Sequence, residues 1–194
     1  VTNRFVAFVP VHANGRSRLI FWPIQGAYRV DDVRVSPCTR EDGLRYVDAL
    51  YEQLPPIEYE PPAGRFDRLP RTFEKLRADK PLRIVVIGDS VANDLANSLF
   101  QLLVERDHGT RVTLVNAVVG SAGAAYFLED NRMEKHVTRF RPDLVIMTGI
   151  SHGRKIPPIR QLASTVKESC GADFLFATGQ TLYPRYWRLN DDPP

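Results

Sequence analysis

Ile84-Val85-Val86-Ile87-Gly88-Asp89-Ser90 is the stretch that decides the fold. An unbroken β-branched apolar run stops at a glycine, and an acid and a hydroxyl follow at once. Such a run is short for a helix and is made of residues that favour strands. It does not alternate with polar residues, as expected of a strand covered by helices on both faces of a parallel sheet. Open sheets of that kind bind ligands beyond the carboxyl ends of their strands, which is where Ser90 stands.

The pattern repeats downstream. The spacing of Leu95, Leu99, Leu102 and Leu103 predicts a helix over 91–106, ended by Asp107-His108-Gly109. A strand over 112–116 follows, then a loop of small residues, Val119-Gly120-Ser121-Ala122-Gly123-Ala124. A short helix over 132–139 precedes a third strand, 144–147, bounded by Arg141-Pro142-Asp143 and by Thr148-Gly149. Pro158 is pre-shaped for a first helical turn and Gly171 for a C-cap, so 158–170 reads as a helix with Ile159, Leu162 and Val166 facing inward. Phe174-Leu175-Phe176-Ala177 is the fourth strand. Strands alternating with helices predict an α/β domain over 82–194, with a parallel sheet and right-handed crossovers.

The first third of the chain reads differently. Residues 1–37 form a β-rich segment: Phe5 to Val11 is an apolar run, Asn14-Gly15 a hairpin turn, and Arg18 to Trp22 the returning strand. Tyr28 to Val30 and Val33 to Val35 extend it. A few strands cannot close a sandwich, so this element needs the larger domain, a further chain segment or a second chain to cover it. Residues 38–81 read as a Pro-rich linker with short helices over 41–54 and 72–79, punctuated by Pro55-Pro56, Pro61-Pro62 and Pro70.

Composition narrows the classes. The 194 residues carry a net charge of +3 with acids and bases interleaved, which does not imply nucleic acid or an anionic membrane as partner. No run of eighteen apolar residues predicts a spanning helix. The start, Val1-Thr2-Asn3-Arg4, does not read as a signal peptide and lacks an initiating methionine, so the compartment stays open, export included. Cys38 and Cys170 lack metal-ligand spacing and read as two free, buried thiols, with a disulfide as the alternative. No His/Cys/Asp cluster has the spacing of a metal site. The loop after strand 84–87 has one glycine where a dinucleotide or phosphate fingerprint needs several, so no cofactor is expected.

Four polar loops follow the four strands and should gather on one rim: Gly88-Asp89-Ser90, Asn116 to Gly123, Gly149-Ile150-Ser151-His152, and Thr178-Gly179-Gln180-Thr181. This set resembles the SGNH/GDSL hydrolase superfamily, whose members cleave esters of lipids, acetylated sugars and related small substrates. The resemblance covers residues 82 to 187. It implies a flavodoxin-like three-layer α/β/α sandwich, with the small β-rich element placed before it. It also makes Ser90 the nucleophile and gives an oxyanion donor to the backbone of Gly120, with Gly123 as the near alternative. The family's third block reads glycine, any residue, asparagine, aspartate; here Gly149, Ile150, Ser151 and His152 stand in those places, so Ser151 replaces the oxyanion asparagine. The family's last block, an aspartate three residues before a histidine, has no match before Pro194, and the resemblance implies that it lies in further chain. Some members carry a β-sandwich before the hydrolase domain, notably bacterial carbohydrate esterases, and residues 1–37 suit the end of one.

Each candidate has a plainer role beside the chemical one. Ser90 is a nucleophile if a base and oxyanion donors surround it, or else the N-cap of the following helix. Asp89 faces substrate or orients its loop. His12, His108 and His136 read as surface residues away from the rim; His152 alone lies on it, as base, substrate contact or loop cap. Ser151 offers a single hydrogen bond to an oxyanion. Arg154 and Lys155 favour an anionic substrate or are a solvated loop. Tyr183, Tyr186 and Trp187 form a sugar-binding platform or pack among themselves. The expectation is a serine esterase acting on an acetyl or short acyl ester of a carbohydrate. Its rivals are an inactive relative that binds a glycan or a protein through the same cleft, and a structural or assembly module whose β segment pairs with another chain.

Overall fold

The computed structural model describes residues 34, 36–55, 60, 62–151 and 155–178. The strands expected within 1–37, the loop residues His152 and Arg154, and the aromatic cluster with Trp187 lie outside them.

Four strands, β1 (Leu82–Gly88), β2 (Val112–Asn116), β3 (Leu144–Gly149) and β4 (Asp173–Thr178), form one sheet. Their spatial order is β2-β1-β3-β4 and every neighbouring pair is parallel. Ile84 registers with Leu114 on one side and Leu144 on the other, and Leu144 registers in turn with Asp173. Alternating side chains send the two faces into two cores. Val85, Ile87, Val115, Val145 and Met147 pack with Phe127, Leu162 and Val166 on one side; Ile84, Val86, Leu114 and Ile146 pack with Ala92 and Ala96 on the other. Fully burying a side chain such as Ile87 or Phe127 stabilises by about 1.5–3 kcal/mol, which explains why Ile84 to Ile87 and Leu144 to Met147 carry no polar residue.

Helices cover both faces, giving the three-layer α/β/α sandwich expected. On one face lie α5 (Ala124–Leu128), α6 (Arg132–His136) and α7 (Ile156–Cys170); the other carries α2 (Pro70–Arg77), α3 (Ala92–Ala96) and α4 (Phe100–His108). Helix α1 (Arg40–Tyr51) packs outside α4. Its N-cap Thr39 exchanges hydrogen bonds with Asp42 in a capping box, and Arg40 reaches Glu105 at 2.6 Å. Glu105 is buried and also accepts the Val112 amide at 2.7 Å, so one carboxylate ties α1, α4 and β2 together.

Four sequence expectations need correction at this level. The helix over 91–106 is two helices, because the Ser98 hydroxyl donates to the Leu95 carbonyl and accepts the Phe100 amide, so it takes over backbone partners at the break. The small-residue loop contains α5, whose buried Ala124 and Phe127 anchor it to the core. Helix 132–139 stops at His136 and continues as a 3-10 turn, Thr138–Phe140. Cys38 and Cys170 are both free, and Cys38 is exposed rather than buried.

Candidate functional site

With all strands parallel, the loops after β1, β2 and β3 leave from one rim, the rim at which β4 also ends. The chain runs from β1 outward to β2 and then crosses back to β3 on the other side of β1. The connections therefore part between β1 and β3, which is the crevice where open α/β sheets take ligands. Ser90 follows β1 and Ser151 follows β3, one on each side of it.

Ser90 is exposed, and its hydroxyl has no hydrogen-bond partner among the described residues. The N-cap role is not the one it plays: α3 begins after Val91 and has no side-chain cap. Asp89, by contrast, is 2% exposed. One carboxylate oxygen accepts the Val91 amide at 2.9 Å; the other accepts the amides of Ile150 at 2.7 Å and Ser151 at 2.5 Å. Burial on its own raises the pKa of this carboxyl, but the Ser151 hydroxyl and the three amides outweigh it and hold the group below its ordinary value. Of the two roles expected for Asp89, this geometry is that of the one that orients its loop. Its acceptor positions are filled by backbone, and it straps the Ser90 turn to the loop after β3.

Two glycines make that strap sterically feasible. Gly149 has φ +133°, and a Cβ there would lie 2.5 Å from the Asp89 carboxylate. Gly88 has φ +131°, and a Cβ would lie 1.8 Å from the Thr148 carbonyl oxygen. The loop after β2 is held from the same turn, since the Val119 amide donates to the Gly88 carbonyl at 3.0 Å. Gly120 comes next, exposed and with no atom within 4 Å of where a Cβ would stand; Ser121 beside it has φ 61°, a left-handed conformation rare in residues with a side chain. Gly123 is the N-cap of α5 on the same loop. Gly88 and Asp89, the two residues before the serine, thereby gather the loops bearing Gly120 and Ser151.

Ser151 is exposed, and its backbone amide serves Asp89. Next to the Ser90 turn stands a group that sequence reading missed. The carboxamide oxygen of Asn93 on α3 accepts from the Asn116 side chain at 3.2 Å, joining α3 to the end of β2. Single asparagines carry no pattern that marks them in a sequence.

Among the other histidines described, His108 is exposed at the end of α4, away from the rim. His136 is not the surface residue expected. Its ring lies half-buried against Tyr126 and Phe127, with centroids 5.9 Å apart in both pairs, and its Nε2 is buried without a partner among the described residues. Burial first, then Lys135, Arg139 and Arg132, hold its pKa below the usual value, so it is neutral at neutral pH. A depression of about 690 Å³ opens at the opposite rim, near Arg71, Arg141 and Cys170, remote from Ser90. Among the described residues no cluster of His, Cys, Asp or Glu is placed to hold a metal, and no helix is long and apolar enough to cross a membrane.

No protein-family model matches the chain, and no curated protein is significantly similar to it. Among solved structures it is similar to a two-domain esterase active on acetylated mannans, crystallised with mannopentaose, at 17% identity and a TM-score of 0.47. That match covers 57% of this chain and 34% of the other, so this chain spans about a third of that protein.

Proposed function

We propose that the rim carrying Ser90 is the active site of a serine esterase of the SGNH type, acting on an acetyl or short acyl ester of a carbohydrate. The observation that carries this reading is an exposed hydroxyl, unpaired among the described residues, at the topological switch point, flanked by two loops strapped to its own turn through Gly88 and Asp89. In the reaction, Ser90 Oγ bonds to the ester carbonyl carbon and loses its proton to a base. The carbonyl oxygen takes up the displaced electron pair as an oxyanion, which the backbone amides of Ser90 and Gly120 receive. The base returns the proton to the departing alcohol, and water then cleaves the acyl-enzyme by the same steps. His152, one residue beyond Ser151, is the base proposed within this chain. Gly123, Arg154 and Trp187 are the proposed substrate contacts, the last as an apolar face for a sugar ring.

The test is covalent. A fluorophosphonate probe should label the chain at one site, and Ser90→Ala should abolish both labelling and release of acetate from acetylated oligosaccharides. Absence of labelling, or full acetate release by Ser90→Ala, rejects the esterase.

A further inference from the structure

We infer that the side-chain amide of Asn93 is the third oxyanion donor, taking the place that the sequence comparison of motifs assigns to Ser151; this rests on the esterase reading above. The orientation of Asn93 follows from a chain of hydrogen bonds with one solution. The Val118 backbone N–H can only donate, so the Asn116 side-chain atom 3.1 Å from it is the oxygen. Asn116 therefore presents its NH₂ group to Asn93, and the Asn93 atom that receives it at 3.2 Å is the oxygen. That leaves the Asn93 NH₂ group unused by Asn116, with no acceptor for its protons among the described residues.

Its place is also fixed. The Asn93 backbone amide donates to the Ser90 carbonyl at 3.2 Å, so the side chain springs from the turn directly after the nucleophile. From there it reaches toward the end of β2, the strand whose loop carries Gly120. Asn93 is half-buried, and a half-buried donor pair without an acceptor among the described residues, carried on the turn that follows Ser90, is suited to receive negative charge. Ser151 lies on the β3 side, where its backbone amide donates to Asp89. As Ser90 Oγ bonds to carbon, the carbonyl oxygen gains charge and the Asn93 N–H shortens its contact to it. No proton leaves Asn93.

Asn93→Asp separates this role from a structural one. The aspartate keeps an oxygen for Asn116 but loses the donor and adds repelling charge. With p-nitrophenyl acetate as substrate and the full chain as enzyme, Asn93→Asp and Asn93→Ala should each lower kcat by about 10²–10³-fold, the range found when an oxyanion donor is removed, with KM within about threefold. Fluorophosphonate labelling of Ser90 should slow in parallel, while the melting temperature of Asn93→Asp stays near that of the wild type. Labelled Ser90 with wild-type kcat in both variants overturns the assignment and leaves the esterase standing. A rise in KM alone also overturns it, as does a loss of kcat in Ser151→Ala that the Asn93 variants do not share. If fluorophosphonate fails to label the wild type at all, the esterase reading falls first and takes this one with it.

Discussion

Gly149 shows how little room single positions have at this rim. Its φ of +133° is strained for any residue with a side chain, and an added methyl would overlap the Asp89 carboxylate. Gly149→Ala should therefore cost about 3 kcal/mol or more, through strain and the loss of a buried hydrogen-bonded group. Gly120→Ala is the natural comparison, because open space surrounds that position. It should stay within about 0.5 kcal/mol of the wild type in urea denaturation, as exposed substitutions usually do. Equal losses at the two positions would contradict this account of the loops. Asp89→Ala tests the strap itself. It removes the acceptor for three amides, and leaving a hydrogen-bonding group unsatisfied costs about 1–3 kcal/mol, so the total should be at least about 3 kcal/mol.

At the scale of elements, the two central strands were legible because each carries four consecutive apolar residues with no polar interruption, and two-sided burial is what demands that. Ile84 to Ile87 and Leu144 to Met147 illustrate it: none is more than 5% exposed. The broken helix was not legible. Leu95, Leu99 and Leu102 keep helical spacing across the break, and only the Ser98 hydroxyl, satisfying backbone groups on both sides, reveals it. Ser98→Ala removes that device and should destabilise by about 1 kcal/mol, the cost of a lost capping hydroxyl, measured as a shift in the urea midpoint at unchanged slope. Helix α5 was hidden by Gly123, Ala124 and Ala125, residues too small to give a hydrophobic stripe. The candidate site was legible in part for the same kind of reason. Gly-Asp-Ser at a strand end marks Ser90, whereas the strap made by Asp89 ends on backbone amides, and backbone amides have no signature in a sequence.

Across the whole molecule, the two ends of the sheet are each held by a buried carboxylate, and this gives stability a defined acid limb. At the end opposite Ser90, Asp143 is 3% exposed and receives Arg71 at 2.9 Å, Lys75 at 2.6 Å and the Arg83 amide at 3.0 Å. It thereby pins α2 to the foot of β1, while Asp173 accepts the Thr72 amide beside it at 2.7 Å. Burial raises the pKa of Asp143, but the Lys75 contact, the Arg83 amide and Arg71 outweigh it, and the folded value lies below the ordinary 3.8. Asp89 is shifted in the same direction at the other end. A folded state that holds its carboxylates more tightly ionised binds fewer protons than the unfolded chain, so stability rises with pH through this region. The contribution is complete above 3.8 and is lost as pH falls toward the depressed folded values. Asp143→Asn should cost about 2–3 kcal/mol near neutral pH, since it leaves two cations facing a neutral group in a largely buried site. The difference from the wild type should shrink as pH drops below 3.8, because protonated aspartic acid and asparagine are then alike in charge. Urea midpoints measured for both proteins from neutral pH into the acid range check this directly. Parallel curves, with the gap preserved in acid, would mean that the Asp143 charge does not hold α2 to the sheet.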